Sequence, residues 1–447
     1  MNLDLLYREH IAELCVRHAR ALDNSGYDQL LIHAGAPGTA FMDDNDYPFR
    51  VNPHFKHWLP LLEHPYSVLV VAAGERPRLI YFQPEDYWHK PPEDPEGSWV
   101  EHFDVVLAKS KQDIVAALPS RLERTAYIGE QPQLLGDFAA AQVNPPRLIA
   151  ELHFQRAYKT EYEIACLGCA NVIAARGHKA ARAAFLAGGT ELDIHHAYLR
   201  GAGVLESELP YANIVAVNNH SSILHYHGAD RSPMLPQDIH SLVIDAGAQF
   251  RGYASDITRS YAFHKGEYAE LVQAVDQEQL ALVDEIQIGM DFAELHWRGH
   301  LRMAHLLSRF ELVRLEAADI VELGISRAFF PCGLGHFIGL QVHDVGGYLK
   351  APDGEEFARD PKAPFLRLVR KVEPRQAFTV EPGIYFSDML LEELARSDNS
   401  RHINWQKVNE FRGYGGVRVE DCVVVHDSGV ENQSRDAFRA LAGDGAR

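Results

Sequence analysis

Residues 241–262 read SLVIDAGAQFRGYASDITRSYA, and this stretch decides the fold. Two short strand-like runs flank a turn between Gln249 and Ser255, a pattern typical of an antiparallel hairpin. Asp245 lies in the first run and Asp256 opens the second. Because antiparallel neighbours place opposite residues side by side, the hairpin can offer both carboxylates to one point. A lone Asp in a strand is more often a buried hydrogen-bonding group than a metal ligand. Further candidate ligands elsewhere in the chain are therefore needed to indicate a metal site.

Three further short segments each carry one acid or imidazole. They are GLGHFIG with His336, FTVEPGIYF with Glu381, and GGVRVEDCVVV with Glu420. Carboxylates bridge hard divalent cations, and one imidazole favours manganese, iron, cobalt or zinc over calcium. The five side chains together therefore predict a site for two metal ions, which can activate a shared water and polarise a carbonyl group.

A faint internal repeat relates these segments. SLVIDAGAQF followed by SDITRSYAF resembles AFTVEPGIYF followed by GVRVEDCVVV. Each half has an acid in a strand, a turn with Gly, and a second acid in a later strand. Two related halves would place a metal pair on a pseudo-two-fold axis. The insertions at Gly346–Pro374 and Asp388–Tyr414 are rich in Pro, Asp and Arg, and predict loops over the site.

Composition limits the function classes. The chain has 447 residues, 46% hydrophobic and 23% charged, which is enough for two domains with separate cores. Its net charge of −19 argues against a nucleic-acid surface. No run approaches the roughly 18 apolar residues of a membrane span, and the N-terminus lacks a signal-peptide pattern. Five cysteines fit a reducing compartment. We expect a cytoplasmic protein with no nucleic-acid or membrane partner.

Residues 1–157 predict an α/β domain with a mixed sheet, preceded by an amphipathic helix. The helix face comprises Tyr7, Ile11, Leu14, Cys15 and Leu22, and the strand candidates are Leu30–Ile32, Ser67–Ala73, Leu79–Phe82, Val105–Ala108 and Ala126–Ile128. Two segments, DDNDYPFRVNPHFKHW and EDYWHK, are unusually aromatic. Either they pack on their own domain, or they form the wall of a pocket or a dimer contact; the residues leave both interpretations open.

Residues 158–447 predict a second, α+β domain. Thr160 and Glu163 form a capping box before a helix that reaches Phe185. Further helices are predicted at Tyr268–Ile286 and Phe292–Leu307.

Two pairs of metal-ligating residue types occur on these helices. His296 and His300 share a face, but Trp297 holds the place of the Glu in H-E-x-x-H. We therefore favour ordinary, partly exposed helix histidines over a zinc pair. Cys166 and Cys169 lie within the first helix without a second pair, which favours two small core-facing residues over a zinc or redox site.

The motifs as a set resemble those of the prolidase and aminopeptidase P group of metallopeptidases, which have the pita-bread fold. The resemblance covers essentially the whole chain and rests on ILHYHG, VIDAGAQFRGYASDITRSY, GLGHFIGLQVHD, TVEPGIYF and GGVRVED. The segments DYPFRVNPHFKHW and LHFQRAYKTEYEIA resemble specifically the bacterial Xaa-Pro dipeptidases. The resemblance implies hydrolysis of the Xaa-Pro bond in dipeptides, two divalent metal ions per subunit, usually manganese, and a homodimer.

The resemblance also implies a role for each site residue. Asp256 and Glu420 would bridge both metals, Asp245 would complete one, and His336 with Glu381 the other. Glu381 would also carry the proton from the nucleophilic water to the leaving nitrogen. His225 would stabilise the tetrahedral intermediate. The substrate would be held by His343, Arg367 and Arg418, with Arg367 on the terminal carboxylate. Tyr211 and Leu224 would line the pocket, and Trp88 from the N-terminal domain of the partner subunit would close it.

One residue departs from the pattern that the resemblance implies. The family commonly has Pro-His-Gly-x-Gly-His, whereas this chain has Cys332 between Pro331 and Gly333. A thiol is smaller than an imidazole and a poor donor. We expect metal binding to survive, with recognition of the proline end or the rate weakened or retuned.

Three alternatives remain beside the dipeptidase. Aminopeptidase P accepts longer peptides, but the expected Arg367 clamp and the N-terminal segments speak against it. A pita-bread protein kept only for binding should have lost metal ligands, and all five are present. Organophosphate hydrolysis would be a side activity, because tetrahedral phosphorus mimics the attacked carbonyl.

Overall fold

The computed structural model describes residues 2–120, 123–134 and 142–443. The chain forms two compact units, one of Met1–Cys166 with Leu349–Glu356 and one of Leu167–Tyr348 with Phe357–Arg447. The helix Glu161–Leu186 runs across this division. The boundary expected between residues 157 and 158 stays a prediction. In the described part of the chain, no helix combines the length and hydropathy that crossing a membrane requires.

The first unit contains one mixed six-stranded sheet. Its elements are α1 (Leu3–Ser25), β1 (Gln29–His33), α2 (Pro53–Lys56), β2 (Val68–Ala72), β3 (Arg78–Phe82), β4 (Asp104–Ala108), α3 (Lys111–Ala117), β5 (Thr125–Ile128), β6 (Gln142–Val143) and α4 (Pro146–Arg156). The strand order is β4-β3-β2-β1-β5-β6; β1–β2 and β2–β3 are antiparallel, and the other pairs are parallel. All five predicted strands are present within one or two residues of their expected ends.

The N-terminal helix buries the predicted face. Tyr7, Ile11, Leu14 and Leu22 are buried, while Cys15 lies half-buried beside them. The helix starts where the Asn2 side chain accepts the backbone N–H groups of residues 4 and 5, and it ends at a left-handed glycine. The face predicted from periodicity is therefore confirmed, and the structure adds the caps that set the length of the helix.

The two aromatic segments behave differently along their length. Phe55 and Trp58 are fully buried, so the end of the first segment packs inside its own unit. Tyr47, Tyr87 and Trp88 are exposed, with 76% of the Trp88 surface accessible. The aromatic residues thus divide between core and surface.

The second unit combines long helices with small antiparallel sheets. Its elements are α5 (Glu161–Leu186), α6 (Glu191–Ala202), β7 (Ile214–Val217), β8 (Ser241–Asp245), β9 (Gln249–Phe250), β10 (Tyr253–Ala254), β11 (Thr258–Ala262), α7 (Glu267–Asp284), α8 (Phe292–Arg309), α9 (Ala317–Glu322), α10 (Ser326–Phe329), β12 (Ala377–Val380), β13 (Gly383–Tyr385), α11 (Asp388–Arg396), α12 (Trp405–Arg412), β14 (Gly416–Arg418), β15 (Asp421–His426), β16 (Gly429–Asn432) and α13 (Gln433–Gly443). The capping box before α5 is confirmed, because Thr160 and Glu163 exchange both backbone-to-side-chain bonds.

The strands that flank the acids pair in the same antiparallel way in the two repeat halves. β8 pairs antiparallel with β11, and β12 pairs antiparallel with β15. In each half one acid ends or directly follows the first strand, and the other precedes the second strand. A β-bridge between Thr258 and Glu420 joins the halves. The architecture therefore brings four strand-end carboxylates together.

Two expectations for this unit were wrong. The segment Asp388–Tyr414 is mostly helical, because Leu391 and Leu394 on α11, and Val408 and Phe411 on α12, recur at helical spacing and are buried.

The helix histidines form the second correction. His296 and His300 on α8 are buried, not partly exposed. Their rings lie 4.7 Å apart by centroid, and His300 packs on Phe330 at 4.8 Å. They belong to an aromatic core cluster with Trp297 and Phe330.

Candidate metal centre

His336 lies at the centre of the predicted acidic cluster. Its Nε2 atom is 3.4 Å from Asp256 Oδ2, 3.7 Å from Glu381 Oε1 and 3.9 Å from Glu420 Oε1. Asp256, His336 and Glu420 each offer one ligand atom within 4.8 Å of the others, and all three are buried. Three of the other four predicted ligands thus converge on the His336 imidazole.

Asp245 joins the cluster through Tyr211. The Tyr211 hydroxyl lies 2.7 Å from Asp245 Oδ1 and 2.6 Å from Asp256 Oδ1. A single phenolic proton serves two carboxylates here, so this pair has fewer donors than acceptors. All five predicted metal ligands are therefore in one place.

Backbone packing holds His336 in the cluster. The backbone N–H of Thr379 donates to the carbonyl of His336, and the N–H of His336 donates to Thr379 Oγ1. A Cβ atom at Gly335 would lie 1.9 Å from the Thr379 carbonyl oxygen, so only glycine allows this approach. Gly335 of GLGHFIG therefore has a steric role beside β12.

The cluster carries more acid than base, and its pKa values reflect that. Burial, followed by the charge of Asp256, raises the pKa of Asp245 to about 6. Burial raises the pKa of Glu381 to about 7, with further contributions from Asp256 and Asp245 against the opposing charges of His336 and Arg418. Burial is also the main reason that the pKa of Glu420 lies well above its usual value.

Asp256 and His336 shift as an ion pair. Burial acts against the charge of each, but their mutual hydrogen bond and attraction prevail, lowering the pKa of Asp256 and raising that of His336. Even with Arg418 beside Asp245, the two positive charges of His336 and Arg418 cannot neutralise four carboxylates. The donor set, four carboxylates and one imidazole in a desolvated place, thus fits divalent cations, which would supply the missing positive charge.

Arg418 is in the site, but protein groups engage its guanidinium. Nη2 donates to Asp245 Oδ2 at 2.7 Å, Nη1 to the Tyr385 hydroxyl at 3.0 Å, and Nε to Thr258 Oγ1 at 3.1 Å. This geometry holds Asp245 in place. A direct contact with substrate stays a prediction.

The remaining polar residues surround the cluster. The His343 ring packs edge-on against His336, with centroids 4.4 Å apart. Partial burial lowers the pKa of His225, and the charges of Arg418 and Arg367 lower it further. Burial, followed by the charges of His336 and Arg367, lowers the pKa of His343 to about 3. Arg367 is exposed and forms no ion pair within the described ranges.

Two predicted pocket residues, Leu224 and Trp88, form no hydrogen bond or ring contact with this group in the part of the chain that the structure describes. Leu224 is half-buried next to His225 in the chain. Trp88 lies in the first unit with an exposed side chain. Their roles stay predictions.

Two residues of the site were missed from the sequence. Thr258 donates its hydroxyl to Glu420 Oε2 at 2.8 Å, and Tyr385 accepts from Arg418. Thr258 follows Asp256 at a spacing of two, and so faces the same side of its strand. The two-residue spacing could have identified Thr258 from the sequence, whereas no sequence pattern pointed to Tyr385.

A second buried group, in the first unit, resembles a metal site by distance only. His10, His57 and Glu163 offer ligand-type atoms within 4.8 Å of one another. However, His10 Nε2 donates to the His57 carbonyl and Nδ1 accepts from the Thr160 hydroxyl, each at 2.8 Å. Glu163 pairs with His57 at 3.4 Å. These contacts anchor the cap of α5, and we assign no metal to them.

Comparison with known proteins assigns the chain to a family. The model of metallopeptidase family M24 matches residues 165–427, and that of the Xaa-Pro dipeptidase N-terminal domain matches residues 5–154. This chain belongs to metallopeptidase family M24. Divalent metal ions are a property that the family implies, in agreement with the acidic cluster.

Full-length relatives within family M24 are similar throughout. Xaa-Pro dipeptidase 2 of Idiomarina loihiensis is 47% identical over 440 residues, covering 98% of this chain and 99% of the relative. The Xaa-Pro dipeptidase of Pseudoalteromonas haloplanktis is 46% identical, covering 97% and 99%. That of Xanthomonas campestris is 44% identical, covering 98% and 99%.

Solved structures establish the M24 fold independently. Aminopeptidase PepP of Pseudomonas aeruginosa superposes with a TM-score of 0.72 at 24% identity, covering 98% of this chain and 99% of that one. A variant of Escherichia coli aminopeptidase P gives 0.69 at 21% identity, covering 97% and 98%. The expected pita-bread fold, with an N-terminal α/β domain, is thereby confirmed.

Proposed function

We propose that this M24 metallopeptidase hydrolyses the Xaa-Pro bond of dipeptides that end in proline. Relatives named Xaa-Pro dipeptidase, at 44–47% identity over the whole chain, support the proposal. The observation that carries it is the exposed Arg367 guanidinium, which makes no ion pair within the described ranges and acts electrostatically on His225 and His343. It is available for a substrate carboxylate.

The five ligands would hold two divalent ions, as proposed from the resemblance, with Asp256 and Glu420 bridging. Ions bound there would activate a water and polarise the scissile carbonyl. Glu381 is the proposed proton carrier, because its side chain is 19% exposed while the other ligands around His336 are more deeply buried. It would take the proton of the attacking water and deliver it to the proline nitrogen.

His225 and His343 have lowered pKa values and so stay neutral donors near pH 7. We propose that His225 donates to the oxygen of the tetrahedral intermediate and that His343 and Arg367 orient the substrate. An Xaa-Pro bond has no N–H, which excludes peptidases that need this donor. Manganese as the ion, a homodimer, a cytoplasmic location, and the pocket roles of Tyr211, Leu224, Arg418 and Trp88 stay predictions.

A substrate-length assay tests the carboxylate clamp. With manganese present, Ala-Pro should be cleaved far better than Ala-Pro-Ala, and Arg367→Gln should raise KM for Ala-Pro about thirtyfold. That factor corresponds to roughly 2 kcal/mol for a charge-assisted contact. The matched control is Arg359→Gln in the same segment, since Arg359 stacks on Tyr348 at 4.2 Å. Equal cleavage of dipeptide and tripeptide would instead favour aminopeptidase P activity.

Metal content tests the ligand assignment directly. Asp256→Asn should lower bound manganese, measured by mass spectrometry of the metal, and abolish activity, because a bridging carboxylate contributes to both ions. Asp238→Asn, which changes an exposed acid outside the cluster, is the control. Full metal loading of Asp256→Asn would refute the bridging role. A loaded wild-type protein inert on both peptides would favour a binding protein.

A further inference from the structure

The segment that carries His225 has no regular secondary structure. Between a short 3-10 turn at Asn218–Ser222 and another at Pro236–Asp238 the chain is irregular, and His225 itself is exposed. Within the described ranges, the His225 side chain makes no hydrogen bond of its own. Its position must therefore be determined by its neighbours in the segment.

Those neighbours converge on one buried carboxylate, Glu191, in the first turn of α6. Glu191 is 2% exposed. Its Oε1 accepts the backbone N–H of Val217 and His220 Nδ1, each at 2.8 Å. Its Oε2 accepts the Tyr226 hydroxyl at 2.8 Å and the backbone N–H of Asp230 at 2.7 Å. The partners of Glu191 thus bracket His225 on both sides.

Packing around these bonds supports the same arrangement. The His220 and Tyr226 rings stack with centroids 4.5 Å apart. A Cβ atom at Gly228 would lie 2.0 Å from the Tyr226 hydroxyl oxygen, so glycine is needed where this side chain folds back. Ala229 has φ of 122°, a strained conformation for a residue with a side chain. The hydrogen bond that the backbone N–H of Asp230 donates to Glu191 fixes the chain directly after this strained residue.

We propose that Glu191 is a positioning residue for the reaction, acting through the 217–230 segment to hold His225 beside the metal centre. Each carboxylate oxygen receives one backbone N–H. A glutamine, whichever way its amide is turned, would point its own N–H₂ at one of those donors. A side chain that accepts at both of its terminal atoms is therefore required, and glutamine, although isosteric, cannot replace glutamate. This inference rests on the proposed function, in which His225 acts on the tetrahedral intermediate.

Glu191→Gln tests the inference with two independent readouts. In steady-state assays with Ala-Pro and saturating manganese, kcat should fall about tenfold to a hundredfold, with KM and metal content nearly unchanged. A group that acts only in the transition state affects kcat in this way. Independently of activity, trypsin should cut after Arg231 at least tenfold faster. Arg231 is the only Lys or Arg between Arg200 and Arg251, so the fragment is unambiguous.

Asp193→Asn is the matched control on the same helix. Asp193 completes the capping box with Thr190 and does not touch the segment. It should lower thermal stability slightly without changing kcat or the cleavage at Arg231. Tyr226→Phe, which removes one donor, should shift both readouts in the same direction as Glu191→Gln, but less; it replaces that variant if the glutamine does not fold.

Several results would overturn the inference. They are an unchanged kcat in Glu191→Gln, cleavage at Arg231 as slow as in wild type, a loss of bound metal in parallel with kcat, or an equal loss of kcat in Asp193→Asn. A wild-type protein without activity on Ala-Pro would defeat the proposed function instead. The proteolysis comparison would then still decide whether Glu191 orders the segment.

Discussion

At the scale of single residues, Cys332 is the site's departure from its family pattern. Its half-buried thiol lies within electrostatic reach of Glu381. Burial, followed by the charge of Glu381, raises its pKa to about 12, so the group is a neutral thiol at physiological pH. A neutral thiol is a weak donor and a poor metal ligand. Cys332, near the proposed proton carrier Glu381, therefore contributes little hydrogen bonding.

Cys332→His should consequently increase activity. An imidazole at this position could donate to substrate or to Glu381, and we expect kcat/KM for Ala-Pro to rise about tenfold, the worth of one charge-assisted hydrogen bond of roughly 1.5 kcal/mol. Cys332→Ala separates the loss of the thiol from the gain of the ring and should change little. A decrease in kcat/KM for the histidine variant would show that the pocket is adapted to the smaller side chain.

At the scale of elements, periodicity and caps predicted most of the fold, but not the helices of the second insertion. The Thr160–Glu163 capping box and the N-terminal helix were readable because their signals are local. The segment Asp388–Tyr414 was misjudged from its polar composition, although α11 and α12 each bury two apolar residues at helical spacing. The overall composition of a segment does not show the spacing of its few apolar residues, and that spacing determines whether such a helix forms.

The candidate site, like the fold, was predictable from the sequence only in part. Its five predicted ligands were recognisable because each lies in a short motif with a distinctive residue type, and the repeat indicated that the four carboxylates converge. The ring of hydrogen bonds on Glu191 was not readable, since its four partners come from positions 26 to 39 residues later. Thr190 and Glu191 look like the start of an ordinary helix. Only the three-dimensional path of an irregular segment reveals what the carboxylate holds.

At the scale of the whole molecule, buried histidines link stability to pH. Burial lowers the pKa of His10, His33 and His296 to about 4, and of His18, His178 and His300 to about 3. Between these values and about 6.5 the unfolded chain binds protons that the folded chain does not. The free energy of unfolding therefore falls as pH drops from about 6.5 towards 4, by about 1.4 kcal/mol per pH unit for each such group.

Other groups act in the opposite sense, so a single histidine must be isolated. The raised pKa values of Asp245, Glu381 and Glu420 mean that the metal-free folded protein binds protons more readily than the unfolded chain, which adds stability at low pH. His18 lies on α1 in the first unit and is not part of the acidic cluster, which belongs to the second unit. Its Nδ1 donates to the Leu14 carbonyl at 2.9 Å, so Nε2 must accept from Trp58 Nε1, 3.4 Å away. Protonation of Nε2 would set two donors against each other.

His18→Gln should therefore lower the melting temperature at pH 7.5 but reduce its fall between pH 7.5 and 5.5. The variant removes a group that takes up a proton only on unfolding, while the acidic cluster contributes equally to both proteins and cancels in the comparison. Melting is followed by tryptophan fluorescence in excess chelator, so that metal release does not differ with pH. His89→Gln, which changes an exposed histidine, should keep the wild-type pH dependence. If His18→Gln shows the same fall as wild type, His18 is not the neutral, buried acceptor that its hydrogen bonds require.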